Sequence, residues 1–229
     1  MNFLKIKSGT SVEGDELKAF RSEKKAPTYT YLMAGTHGDE VEGVYLLQQL
    51  YKWLKNDVEE APCSFVVLPI LNVDGYRAST RVNAHGVDLN RNYPTECWTS
   101  EVREAKYFPG AAPLSEPENV FLDKLFQKFP PHLIVSFHSW KPFINFNGDC
   151  EEAANFISKF NSYEVMGDIE GHPTPGSLGE YGPQKYNSPV LTFECPVISD
   201  EITLKDIWNE NETAFKELLL SEYVSPPSK

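Results

Sequence analysis

The sequence predicts an α/β fold, a single domain with a mixed, largely parallel twisted sheet flanked by helices. Three observations predict it. Strand-like and helix-like stretches alternate between Thr28 and Leu71, which is the pattern of a βαβ crossover. The later strand-like runs are continuously apolar, as strands buried on both faces are. The 229 residues, 41% of them apolar, are enough for a sizeable core.

Taken in order, Phe3 to Lys7 alternates weakly and reads as an edge strand, followed by a polar stretch to Pro27. Thr28 to Ala34 is a short β-branched and aromatic run, and reads as a strand. From Glu40 to Lys55 the period changes, with Val44, Leu47, Leu50, Tyr51 and Leu54 at helical intervals. Ser64 to Leu71 is a buried-type strand. Asn72-Val73-Asp74-Gly75 reads as a turn that opens a long segment to Pro113 with little periodicity. A structureless connection of that length in a compact domain is more often functional than idle.

Ser115-Glu116-Pro117-Glu118 has the form of a capping box with proline in the first turn, which predicts a helix to about Phe129, stopped by Pro130-Pro131. Leu133 to Phe137 is another buried-type strand, and it runs into His138-Ser139-Trp140. A helix over Glu151 to Phe160, a Gly- and Pro-rich loop over Gly167 to Gly182, a strand over Val190 to Phe193 and a helix over Thr203 to Tyr223 complete the reading.

The net charge of -12 argues against a nucleic-acid or anionic-membrane partner, because binding to phosphate is driven largely by Lys and Arg. No apolar run has the length of a signal-peptide core or a membrane span, so a cytoplasmic protein is expected. Cys63, Cys97, Cys150 and Cys195 are scattered without a C-x-x-C pair and are expected as free thiols.

His37 and Glu40 stand three apart where a predicted strand gives way to a helix, a place where two side chains leave the backbone together and can meet one metal ion. Zinc accepts imidazole nitrogen and carboxylate oxygen, and a catalytic zinc has three protein ligands with one position open. His138, at the carboxyl end of another predicted strand, is the candidate for the third, because ligands of open α/β sheets bind at that edge. His85, in the long loop, and His132, at the start of its strand, compete for the role. Between them lies a loop from Arg81 to Pro94 that holds two arginines and several asparagines. An arginine fork suits a carboxylate, so this loop reads as a site for an anionic substrate group.

His37-x-x-Glu40, Gly86-Val87-Asp88-Leu89-Asn90-Arg91-Asn92, Ser136-Phe137-His138 and Thr192-Phe193-Glu194, in this order, resemble the zinc metallocarboxypeptidase (M14) family. Within it, Ala34 to Glu40, Asn83 to Pro94, Ser115 to Glu118, Thr174 to Gly179 and Ile198 to Glu201 most resemble the compact bacterial murein tripeptide amidases. Those enzymes cleave the γ-D-glutamyl to meso-diaminopimelate bond of small murein peptides. The resemblance implies one Zn²⁺ held by His37, Glu40 and His138, with Glu194 as general base and Arg81 as the oxyanion's partner. It assigns the substrate carboxylate to Asn90 and Arg91, and the released residue's side chain to Leu178. Asp88, Asn92 and Tyr93 are expected to shape the loop.

Where many family members carry a mobile-loop tyrosine, the register places His172, as a hydrogen-bond donor, a titrating charge or a spectator. Glu180 and Lys141 are candidates for the far end of diaminopimelate. Three readings stay open: the murein amidase, a metallocarboxypeptidase that releases ordinary L-amino acids, and a non-catalytic peptide-binding zinc protein. A deacylase of small N-acylated amino acids fits less well, because the Asn-Arg clamp is intact. The oligomeric state is left open.

Overall fold

The computed structural model describes residues 1–102, 104–167 and 173–226. The chain begins with β1 (Phe3–Lys5), a small hairpin of β2 (Gly9–Thr10) and β3 (Glu16–Leu17), then β4 (Phe20–Ser22) and β5 (Tyr29–Ala34). Next come α1 (Val41–Asn56), β6 (Phe65–Leu68) and the short α2 (Val73–Ala78). After a long connection follow α3 (Pro117–Lys128), β7 (Pro131–Trp140), β8 (Phe143–Asn147), α4 (Glu151–Asn161), β9 (Glu164–Met166), α5 (Leu178–Tyr186), β10 (Val190–Pro196) and α6 (Leu204–Leu220).

One eight-stranded sheet has the order β1-β4-β6-β5-β7-β10-β8-β9. Its centre, β6-β5-β7-β10, is parallel, while β4, β1 and β8 join antiparallel. The expected α/β class and largely parallel sheet are therefore what the chain forms. Period-two alternation divides the strands between two apolar layers. Leu32, Val67, Leu133, Val135, Leu191 and Phe193 face α1, α4 and α6. Tyr31, Met33, Val66, Ile134 and Val190 face α3 and α5. Along α1 the buried Val44, Leu47, Leu50 and Leu54 each contribute roughly 1.5–3 kcal/mol by leaving water.

Several local expectations change. The stretch read as a turn at Asn72 to Gly75 starts α2, because the Asn72 side chain caps it by accepting from the Gly75 N–H at 2.9 Å. The loop expected to reach Gly182 ends at Ser177, which caps α5 by accepting from the Glu180 N–H. The capping box at Ser115 does not form: Glu116 is the N-cap, with no side-chain cap bond, and Ser115 donates to the Glu116 carboxylate instead. Glu118 is drawn away by the Val12 N–H and the Asn83 amide. Pro117 at the first helical position starts α3 regardless. A true capping box pairs Thr203 and Asp206 at the start of α6. The strands β8 and β9 had no counterpart in the sequence reading. Cys63, Cys97, Cys150 and Cys195 are free. Among the described residues, no helix is long and apolar enough to cross a membrane.

Candidate active site

Because β5, β7 and β10 are adjacent and parallel, their carboxyl ends open on one edge of the sheet. His37 and Glu40 lie in the connection from β5 to α1, and Glu40 is the N-cap of that helix. Glycine is needed twice to bring the connection this close. A side chain at Gly38 would run into the Gly75 backbone, and a Cβ at Gly43 would sit 2.8 Å from the Phe137 carbonyl. His138, on β7, then faces both residues. Glu40 Oε1 lies 2.6 Å from His37 Nδ1, Glu40 Oε2 lies 2.8 Å from His138 Nδ1, and the two Nδ1 atoms are 3.3 Å apart. The three side chains thus offer one ligand atom each, all within 4.8 Å of one another. Two imidazoles and a carboxylate on one buried point are a donor set that fits zinc.

Asp88 stands behind the cluster and is fully buried. Its Oδ1 lies 3.1 Å from His37 Nε2, while Oδ2 accepts from Arg81 Nε at 3.1 Å and Nη2 at 2.9 Å. A proton on His37 Nε2 pointing at Asp88 leaves Nδ1 as the free donor atom that a metal needs. Arg81 is oriented by the same carboxylate, so that its remaining Nη1 lies 3.3 Å from His37 Nδ1 and 3.5 Å from Glu40. Burial alone would raise both carboxyls, but the facing charges win. His37 and His138 hold Glu40, and His37, Arg81 and Arg91 hold Asp88, well below the usual carboxylate range.

Glu194 belongs to β10 and pairs in register with His138 across the parallel ladder. Its Oε2 is buried without a hydrogen-bond partner among the described residues. Burial, reinforced by the Glu40 carboxylate and only partly opposed by His138 and Arg81, pushes the carboxyl up to about 7. Glu194 also lines a cleft of about 660 Å³ that continues past Asn90, Thr192, Asn145 and Asn147 to Glu180.

On the near side, Asn90 accepts the Leu178 N–H at 2.9 Å, which ties the arginine loop to the start of α5. Arg91 donates to the Asn90 carbonyl at 2.7 Å, and its guanidinium lies 5.5 Å from the centre of the Tyr107 ring. Arg81 lies 5.3 Å from the same ring.

Residues 2–183 match the family model described as zinc carboxypeptidase (peptidase M14). The chain belongs to the zinc carboxypeptidase family. Murein peptide amidase A of Vibrio campbellii is 30% identical over 209 residues, 86% of this chain and 81% of that protein. Murein peptide amidase A of Escherichia coli K12 is 30% identical over 204 residues, 84% and 81% of the two chains. Among solved structures, the murein-tripeptide amidase of Escherichia coli O157 is similar with a TM-score of 0.72 and 29% identity, over 90% of this chain and 89% of that one. Carboxypeptidase A of Helicoverpa armigera has a TM-score of 0.79 at 18% identity, over 93% and 67%, a likeness of fold.

The protein is thus a zinc-dependent hydrolase, and the residues singled out in its sequence are distributed unevenly. His37, Glu40, His138, Arg81 and Glu194 converge on the sheet edge, and Asn90 and Arg91 flank it. Leu178 is only 3% exposed and packs in the core beneath α5, while its neighbours Ser177 and Gly179 line the cleft. Lys141 lies over the exposed Trp140 ring and is not among the residues that line the cleft. His172 falls outside the described residues. The rival histidines are occupied elsewhere: His85 pairs with Glu116 at 2.8 Å, and His132 bonds the Val224 carbonyl at the opposite edge of the sheet.

Sequence reasoning missed one residue of this site and half the role of another. Asp88 does shape its loop, capping the turn at Leu89–Arg91 through the Asn90 N–H, but it also contacts both His37 and Arg81. Tyr107 went unnoticed in an aperiodic stretch; the only hint was an aromatic residue next to Lys106 near a loop rich in arginine. A ring against two guanidinium groups holds them in place by cation–π attraction worth roughly 0.5–2 kcal/mol. Because the ring supports both Arg81 and Arg91, Tyr107→Ala is expected to lower kcat/KM about 2- to 30-fold, measured by steady-state kinetics. An unchanged kcat/KM would contradict this role.

Ionisation of the buried site also makes stability depend on pH. Glu194 has its folded value raised, so its contribution is complete below about 4.5 and is lost as pH rises through about 7. Glu40 and Asp88 have the opposite sign: they stabilise above their ordinary carboxylate range and lose that contribution as pH falls. The metal-free protein is expected to lose Tm between about pH 5 and about pH 8, and Glu194→Gln to lose less over the same range. Parallel melting curves for the two would show burial of Glu194 to be without thermodynamic consequence.

Proposed function

We propose that this zinc carboxypeptidase is a murein peptide amidase that hydrolyses the γ-D-glutamyl to meso-diaminopimelate bond of small murein peptides. The observation that supports this reading most is similarity to murein peptide amidases over more than four fifths of both chains, joined to a cleft lined by Asn90 and Glu194 beside the metal cluster. In the proposed mechanism His37, Glu40 and His138 hold Zn²⁺. When bound, zinc acts as a Lewis acid and lowers the pKa of water toward neutrality.

Glu194, with an unpartnered oxygen beside the cluster, takes a proton from the attacking water. It later passes that proton to the amine as the C–N bond breaks. Arg81 is held by Asp88 through Nε and Nη2, which leaves Nη1 to meet charge developing on the carbonyl oxygen. Asn90 and Arg91 receive the carboxylate of the residue to be released. The low-dielectric surroundings that raise the Glu194 carboxyl also make it a stronger base at neutral pH.

The test is product analysis of the zinc-loaded protein with L-Ala-γ-D-Glu-meso-diaminopimelate and with a blocked dipeptide ending in an ordinary L-amino acid. Free diaminopimelate, with the dipeptide left intact, is expected. Cleavage of the dipeptide alone would keep the mechanism and replace the substrate. Cleavage of neither would refute the amidase reading and favour a peptide-binding protein.

A further inference from the structure

We propose that Glu180 selects substrates whose released residue carries a primary ammonium group at the far end of a methylene stem, which lysine bears alone and diaminopimelate bears beside a second carboxylate. The inference deepens the proposed function and rests on its placement of the substrate carboxylate at Asn90 and Arg91. Among the described residues that line the cleft, Glu180 and Glu194 are the carboxylates, and no lysine, arginine or histidine is present. Glu194 belongs to the reaction. Glu180 is left as a fixed negative group on the wall of a cleft that otherwise offers amides, hydroxyls, a thiol and apolar surface, with the Arg91 guanidinium outside that wall near enough to interact with it.

The geometry directs a side chain toward it. Asn90 is bonded to the Leu178 N–H, and Leu178 begins the helix whose first turn carries Glu180. A residue with its carboxylate at Asn90 therefore lies along the wall that leads to Glu180. The Glu180 carboxylate has acceptor capacity to spare: its partners are the Cys97 thiol, at 3.0 and 2.8 Å, and the Gly176 N–H at 3.3 Å. Two carboxylate oxygens offer about four lone-pair sites, and a thiol is a weak donor. Asn145, on the same cleft, spends its NH₂ on the carbonyls of Met166 and Gly167, so its remaining hydrogen-bonding capacity is that of an acceptor. Both groups suit a donor that carries positive charge and three N–H bonds. An apolar or anionic side chain would leave them unmatched.

A competing account makes Glu180 no more than a helix-terminal carboxylate that satisfies Gly176. Glutamine separates the two, because its carbonyl keeps an acceptor for Gly176 while the charge is lost. Binding of lysine, meso-diaminopimelate and norleucine to the zinc-loaded protein is to be measured by calorimetry, with no hydrolysis required. The wild type is expected to bind lysine and diaminopimelate about 10- to 100-fold more tightly than norleucine, the size of a charge-assisted hydrogen bond. Glu180→Gln should erase that preference with norleucine unchanged.

Equal binding of lysine and norleucine by the wild type would overturn the role of Glu180 while leaving the carboxylate clamp standing, and needs no variant. An equal loss of all three in Glu180→Gln would show a structural role only, and overturns the inference as well. Binding of none of them would remove the clamp and this inference with it.

Discussion

Glu194→Gln is expected to retain zinc and to lose turnover by about 10²- to 10⁴-fold, the usual contribution of a positioned general base. Retention follows from geometry, since the cluster of ligand atoms is made by His37, Glu40 and His138 without Glu194. Loss follows from chemistry, since an amide of the same shape occupies the space beside His138 but takes no proton. Both kcat and kcat/KM should fall together, because the proton moves only as the transition state is reached. Elemental analysis for zinc and steady-state kinetics on the murein tripeptide check the two halves separately. Turnover close to wild type would show that another group takes the proton. Zinc lost along with activity would instead make Glu194 part of the metal centre.

The scaffold of the site was legible because strand ends are legible. The apolar runs at Thr28 to Ala34, Leu133 to Phe137 and Val190 to Phe193 place His37, His138 and Glu194 at one sheet edge once the strands are taken as parallel, and the order β5-β7-β10 brings them together. Helix starts were harder to read. The form Ser-x-x-Glu occurs at Ser115 and at Ser177, and the sequence reading takes only the first as a helix start. A helix starts after both, but only the second forms the side-chain cap: Ser115 turns to the Glu116 carboxylate, whereas Ser177 accepts the Glu180 N–H. Long-range partners decide the matter, because Asn83 and Val12 capture Glu118. Leu178, which the resemblance assigns to the released residue's side chain, begins a helix that turns that side chain into the core. Asp88 and Tyr107 act through other residues, and a contact from one side chain to another leaves no periodicity in a loop.

Asp88→Asn is expected to weaken zinc binding about 10- to 100-fold, although Asp88 is not in the metal cluster. The Asp88 carboxylate has four partners: His37 Nε2, Arg81 Nε, Arg81 Nη2 and the Asn90 N–H. Asparagine keeps one acceptor oxygen and replaces the other with an NH₂ group, which meets either a guanidinium or an imidazole as donor facing donor. If the NH₂ faces His37, the ring is driven to accept at Nε2, its proton moves to Nδ1, and the atom needed for metal is blocked. If it faces Arg81, a mostly buried guanidinium loses its counter-charge, and stability falls toward the lower end of about 3–5 kcal/mol because the head keeps some contact with water. Only when the NH₂ faces His37 does the Asn90 N–H, which shares that oxygen, lose its acceptor, and the substrate clamp then loosens as well. Zinc titration against a chelator, melting of the metal-free variant and KM for the tripeptide read the three consequences independently. An unchanged zinc affinity would show that His37 holds its tautomer without Asp88. An unchanged melting temperature would show that Arg81 finds another partner, Glu40 being the nearest carboxylate at 3.5 Å.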